Sequence, residues 1–301
     1  MNAMPLEIGL SIVDPRRLAA LAGHVANAAN SVNTAPTRVA LLDFLGDPEL
    51  GELLPADARL SHLYFGSEYC EHLFPDDAAL TAAVRLAERC SLRLVLATPI
   101  ACDAVVARLA EAAPLLPAGS EVVVNDWGMA AWLRAHAPQL TPVAGRQLSK
   151  MIKDPRLPGA QWMKVYPSNY AAAGHAALLG RLGIARVELD VPPFATPEVF
   201  AVDGLGVTVW APYAYIAKGR ICKVGSLRQP LAEKFAPGRP CRHECLGLLE
   251  AEPEGGAPRG AGLRTYSRGT TMFYRHDAAM RAVVRAAVDR RLVSRLVLSE
   301  V

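Results

Sequence analysis

Short apolar or β-branched runs alternate along the chain with alanine-rich segments whose apolar residues recur every three or four positions. The runs fall at 6–13, 38–44, 60–65, 92–97, 121–125, 141–144, 185–189, 206–210 and 292–298, and each is short enough to be a buried strand. The helical patterns lie at 16–29, 77–89, 103–112, 128–135, 171–182 and 277–290. Several helices follow a strand almost at once. Tandem strand-helix units around a parallel sheet predict an α/β fold, most simply a (β/α) TIM-like barrel, with chemistry on the loops after the C-terminal ends of the strands. An open doubly wound sheet is the competing arrangement.

Two segments interrupt the alternation. One, 148–168, contains prolines around Gln161-Trp162-Met163; the other, 217–264, holds three cysteines with several prolines and glycines. Loops of that length call for a function. We read 1–301 as one barrel domain in which 218–264 is a metal-binding insert, with 218–247 its compact part and 250–259 (EAEPEGGAPR) an exposed loop tip. Because the chain stops just after the run 292–298, the expected barrel is incomplete. Closing it would take a partner or another element, and an open strand edge favours a heterodimer.

Composition and charge narrow the setting. The chain is 51% hydrophobic and 20% charged, as expected for a folded globular protein. No secretory signal pattern opens it, and no apolar stretch is long enough to span a bilayer, so a cytoplasmic location is expected. Six cysteines in such a compartment are buried thiols, metal ligands or redox groups rather than disulfides. The net charge of +3 is uneven: from Arg220 onward there are 15 basic and 8 acidic residues, against 17 and 21 before it. That basic quarter could attract an anionic substrate, an acidic protein or RNA, or simply face solvent.

Cys241 and Cys245 are four positions apart, and Cys222 precedes them by nineteen. A fourth ligand has to come from elsewhere. Cys70 follows the strand run that ends in Leu63-Tyr64-Phe65-Gly66, where a barrel displays functional groups, whereas Cys90 and Cys102 read as packing thiols. Four thiolates suit a structural zinc or a [4Fe-4S] cluster, and unrelated buried cysteines remain open on spacing alone.

Ordered pieces around these cysteines resemble peptidase family U-thirty-two, most of all its UbiV-type branch, which serves anaerobic ubiquinone biosynthesis. The pieces are Leu63 to Cys70 (LYFGSEYC), Val124-Asn125-Asp126-Trp127-Gly128, Pro142-Val143-Ala144-Gly145, Val187-Glu188-Leu189, Ala214-Tyr215-Ile216-Ala217 and Cys241-x-x-x-Cys245. They span the chain from about Leu60 onward. The resemblance implies a partial or modified barrel and a [4Fe-4S] cluster on Cys70, Cys222, Cys241 and Cys245. It also implies oxygen-independent hydroxylation with prephenate as oxygen donor, on a prenylated aromatic ubiquinone precursor, in a heterodimer with a homologous UbiU-like protein. Other branches hydroxylate tRNA or ribosomal RNA, and a non-catalytic metal-binding subunit is a further alternative. The insert of eighteen residues between Cys222 and Cys241 is longer than the resemblance leads one to expect.

Further candidates are polar residues at strand ends. Glu68 and Asp126 could bind substrate or move protons, or serve as helix caps. Arg146, Arg268 and Arg275 could clamp a dicarboxylate, or form surface ion pairs. His243, between two cysteines, could tune a cluster by hydrogen bonding, or be solvated. Neither a Gly-x-Ser-x-Gly elbow nor a His-Glu-x-x-His helix occurs, so peptidase chemistry is not expected, and the absence of Gly-x-Gly-x-x-Gly and phosphate loops speaks against a nucleotide cofactor.

Overall fold

The computed structural model describes residues 5–28, 35–149, 151–164, 170, 172–219, 222, 224–227, 229–234, 241–251 and 263–300. Eight parallel strands close a barrel: β1 (Glu7–Ile12), β2 (Leu60–Gly66), β3 (Arg93–Ala97), β4 (Glu121–Val124), β5 (Thr141–Ala144), β6 (Arg186–Leu189), β7 (Gly206–Ala211) and β12 (Arg295–Ser299). Helices α1 (Pro15–Ala28), α3 (Asp77–Arg89), α4 (Asp103–Ala112), α5 (Trp127–His136), α6 (Ala173–Arg181) and α7 (Ala278–Asp289) lie between strands. The TIM-like barrel expected from the sequence is therefore present.

Its expected incompleteness is not. β12 pairs in parallel with both β1 and β7, so the last strand of the chain closes the barrel without help. The argument for a heterodimer from an open barrel edge falls with it. A second correction concerns 38–44, expected as a strand and found as the helix α2 (Arg38–Leu45). An apolar run of that length is ambiguous in period. Thr37 caps its start and left-handed Gly46 ends it, while Leu41 and Phe44, three apart, are buried on one face.

Alternation along the strands sorts side chains between lumen and outer layer. Leu63, Phe65, Leu94, Leu96, Val122 and Val124 join the layer shared with the helices. Their neighbours Tyr64, Val95 and Val123 meet Val143, Trp210 and Val297 in a separate inner cluster. Gly9 makes room for this packing, since a β-carbon there would stand 2.8 Å from the ring of Tyr64.

Between β7 and β12 the chain builds a second sheet, antiparallel and ordered β8-β11-β10-β9: β8 (Tyr213–Lys218), β9 (Glu250–Ala251), β10 (Thr265–Arg268) and β11 (Thr271–Arg275). The cysteine-bearing segment is the connection between β8 and β9. The expected loop tip 250–259 thus begins as a two-residue strand, and 252–259 lie outside the described residues.

Candidate functional site: a cysteine-lined cavity at the barrel mouth

β2 ends at Gly66, whose φ of +108° and whose approach to the Ala97 carbonyl, 2.5 Å from where a β-carbon would sit, admit no side chain. That turn carries Ser67, Glu68 and Tyr69 across the barrel's C-terminal end and delivers Cys70. A short 3-10 turn, Glu71–Leu73, follows directly. The second sheet holds the last of the late cysteines: Arg268, at the end of β10, donates Nε to the Cys245 carbonyl at 2.9 Å.

A cavity of about 600 Å³ lies between, and Cys70, Cys222, Cys241 and Cys245 all line it. The four are free thiols. Cys222 Sγ accepts the Gly225 N–H at 3.2 Å and Cys241 Sγ the His243 N–H at 3.4 Å. Burial pushes the Cys70 and Cys241 thiols upward, and it drives Cys245 to about 12 with added repulsion from Cys222 and Cys70. Among the described residues no group of three or more His, Cys, Asp and Glu side chains is arranged to hold a metal ion.

A fifth thiol shares the cavity. Cys102 is exposed, lines the same space and donates Sγ–H to Glu71 Oε2 at 3.2 Å, which corrects its reading as a packing residue. Cys90 is buried behind α3, as packing requires.

Below the cysteines stands a fully buried ionic network. Arg146 reaches Glu68 Oε2 through Nε at 2.9 Å and Asp190 Oδ1 through Nη1 at 3.0 Å, and Lys153 Nζ meets Asp190 Oδ2 at 2.6 Å. The guanidinium lies over the Trp210 ring at 3.9 Å, and Lys153 over Tyr215 at 3.3 Å. Burial works against the charge on Arg146, but Glu68 and its neighbours outweigh it and hold the cation firmly; on Lys153 burial wins and lowers its basicity. Trp210 donates its indole N–H to Glu188 Oε2 at 2.8 Å, while Glu188 Oε1 is buried without a hydrogen-bond partner. Burial first, then the nearby Glu68 charge, raises the Glu188 carboxyl to about 8, so it holds a proton at neutral pH.

The sequence candidates separate accordingly. Glu68, Arg146 and Arg268 border the cavity with the cysteines. Asp126 does not: it caps α5 through the Met129 N–H at 2.8 Å and also accepts the Ala101 N–H at 2.6 Å. Arg275 pairs with Asp47 and Glu49, in the surface role foreseen for it, whereas Arg146 is buried. His243 is exposed and serves Cys241 only through its backbone. Sequence reading passed over Asp190, Glu188 and Lys153. The first two were accessible to the same rule that found Glu68, because Asp190 directly follows β6 and Glu188 points into the lumen from it.

The fold and site together define a closed (β/α) barrel capped by an antiparallel sheet, with five thiols around the cavity at its C-terminal mouth. Among solved structures, the chain is similar to one described as the structure of the U32 peptidase Mk0906, at 10% identity and TM-score 0.42 over 100% of this chain and 95% of that one. It is also similar to catalytic domain 2 of the Group II chitinase of Ostrinia furnacalis (11% identity, TM-score 0.31, 84% and 82% covered). A third similarity is to the spore cortex-lytic enzyme SleL of Bacillus megaterium (11%, 0.29, 99% and 71%). No protein-family model matches the chain. No curated protein matches it either.

Proposed function

We propose that the chain is an iron-sulfur protein of the U-thirty-two type that takes part in oxygen-independent hydroxylation of an aromatic ring in a ubiquinone precursor, in company with a homologous UbiU-like partner. One observation carries the reading: Cys70, from the early half of the chain, borders the same cavity as Cys222, Cys241 and Cys245 from the late half. Four unpaired thiols around one space suit a [4Fe-4S] cluster, and the N–H groups aimed at two of the sulfurs are the kind of contact that sets a cluster's potential. The burial that raises the Cys70, Cys241 and Cys245 thiols would be offset by a cationic iron centre. Two widely separated single cysteines joined to one short pair favour the cluster over the two short pairs usual in zinc ribbons.

When bound, a cluster would supply electron transfer or substrate activation. The chain's own residues supply the rest. Trp210, Tyr69 and Phe273 give the cavity apolar walls for a ring, and Arg146 and Arg268 place cationic groups beside it. Glu68 and Asp190 fix the Arg146 guanidinium in one orientation against Trp210. Glu188 accepts the N–H of the same indole.

The test is hydroxylation in the absence of dioxygen. Chain and partner, purified without oxygen, are incubated with a prenylated phenol and prephenate. A product heavier by one oxygen atom, lost with Cys245→Ser, is expected; turnover unchanged in that variant would refute the reading.

A further inference from the structure

Of the two arginines that line the cavity, one is spent and the other is not. Arg146 gives Nε and Nη2 to Glu68 and Nη1 to Asp190, so each of its three nitrogens has a carboxylate. Arg268 gives only Nε, to the Cys245 carbonyl at 2.9 Å, and forms no ion pair and no other hydrogen bond among the described residues. The carboxylates whose charge reaches it are Glu300 and Asp14, just beyond β12 and β1, and each is already paired, with Arg17 and Arg16. They place Arg268 at the corner where β1 and β12 end, with Nη1 and Nη2 unused.

That corner also holds a free hydroxyl. Gly9 faces Tyr64 and Val297 of the inner cluster, so Ser11, two positions on, points into the lumen one level nearer the mouth. Ser11 pairs with Ser299 across β1 and β12, and both line the cavity. The Ser299 hydroxyl donates to the Ala211 carbonyl at 3.4 Å. The Ser11 hydroxyl has no hydrogen-bond partner among the described residues, although the residue is only 7% exposed. A side chain so buried is ordinarily satisfied.

No carboxylate of the cavity wall fills the place: Glu68 is held by Arg146, Glu71 bonds Cys102, and Glu244 lies by Gly225 and Cys222. One uncompensated cation calls for one negative charge, and the planar guanidinium fork matches the two oxygens of a carboxylate. A phosphate dianion would bring more charge than this corner can balance. We infer that Arg268 and Ser11 form a subsite for the carboxylate of an organic ligand held in the cavity. Tyr69 and Phe273, which line the same space, give apolar surface to the rest of that ligand. The assignment goes beyond the proposed function and does not rest on it, since neither donor is a cysteine.

An NMR titration of the full chain, purified without oxygen, with benzoate, benzamide and inorganic phosphate tests the inference. Benzoate is expected to bind at least about tenfold more tightly than benzamide, which has the same shape and no charge, and phosphate is expected not to displace it. Arg268→Met should abolish the preference for benzoate, and Ser11→Ala should weaken benzoate about threefold. Ser11→Ala removes one atom that has no hydrogen bond to lose, so it keeps the fold even where Arg268→Met does not, as circular dichroism would check. Equal binding of benzoate and benzamide, an unchanged benzoate affinity in either variant, or displacement of benzoate by phosphate would each overturn the inference. Iron content read on the same sample separates the two proposals: a chain without iron that prefers benzoate sinks only the cluster, and an iron-loaded chain that treats benzoate and benzamide alike sinks only the subsite.

Discussion

The two ends of the barrel lumen are built on the same device and serve different ends. At the N-terminal end Arg295, 1% exposed, donates Nε to Glu7 at 2.9 Å, Nη2 to Glu121 at 3.0 Å and Nη1 to the Tyr64 hydroxyl at 3.0 Å. Its Nη2 also meets His62 Nε2 at 2.8 Å, which fixes that nitrogen as the acceptor. The Ser61 hydroxyl donates to the Ile8 carbonyl, so His62 Nδ1 donates to Ser61, and burial followed by the Arg295 charge lowers His62 to about 2. This is a plug: every group has its partner inside the protein. At the C-terminal end Arg146 is as buried, yet its network borders the cavity that the cysteines line. A buried arginine with two carboxylates is therefore no sign of function in itself. The adjoining cavity makes the difference.

Replacing each arginine by methionine should separate the two roles. Arg295→Met strands Glu121 without a cation, while Glu7 keeps only Arg186, and should cost about 3–5 kcal/mol in denaturant unfolding. Arg146→Met should cost less, about 1–3 kcal/mol, because water in the adjoining cavity can reach Glu68. Equal losses would erase the distinction between the two ends.

Glu188 gives the comparison a pH axis. Its folded pKa, about 8, lies above the ordinary carboxylate value, so between roughly pH 4.5 and 8 the folded chain binds a proton that the unfolded chain has released. The Glu188 contribution is present in full below that window and is lost as pH rises through it. Glu188→Gln should flatten the stability difference between pH 5 and pH 9, by on the order of 3 kcal/mol relative to the parent chain. Parallel stability curves for parent and variant would show that the carboxyl is ionised when folded.

Asp126 is the smallest effect. Removing it with Asp126→Ala takes the cap from α5 and should cost about 1–2 kcal/mol while leaving the cavity chemistry intact. Loss of turnover at unchanged stability would restore the catalytic role that its capping bonds displace.

Much of this was legible in the sequence, and the gaps have physical causes. The barrel strands could be read because each is a short apolar run next to a helical repeat, and Glu68 because a strand end in a barrel points at the mouth. The run 38–44 reads equally as strand or helix, since seven residues cannot separate a buried strand from a buried helix; Thr37 and Gly46 are the capping signals that decide it. Barrel closure was hidden because pairing of the last strand with the first is a contact across the whole chain. Lys153 sat in an irregular segment with no period to place it, and it acquires meaning only through Asp190. The gathering of Cys70 with the late cysteines was anticipated by resemblance, not spacing, and Cys102 was set aside since its nearness to Glu71 depends on the fold.

The central claim, that Cys70, Cys222, Cys241 and Cys245 hold an iron-sulfur cluster, is tested most directly by iron and sulfide analysis with an absorption spectrum of protein purified without oxygen. The parent chain should contain about four irons with matching sulfide, Cys102→Ser should keep them, and Cys70→Ser should lose them. A colourless parent chain carrying one zinc, or iron retained in Cys70→Ser and lost in Cys102→Ser, would contradict the assignment.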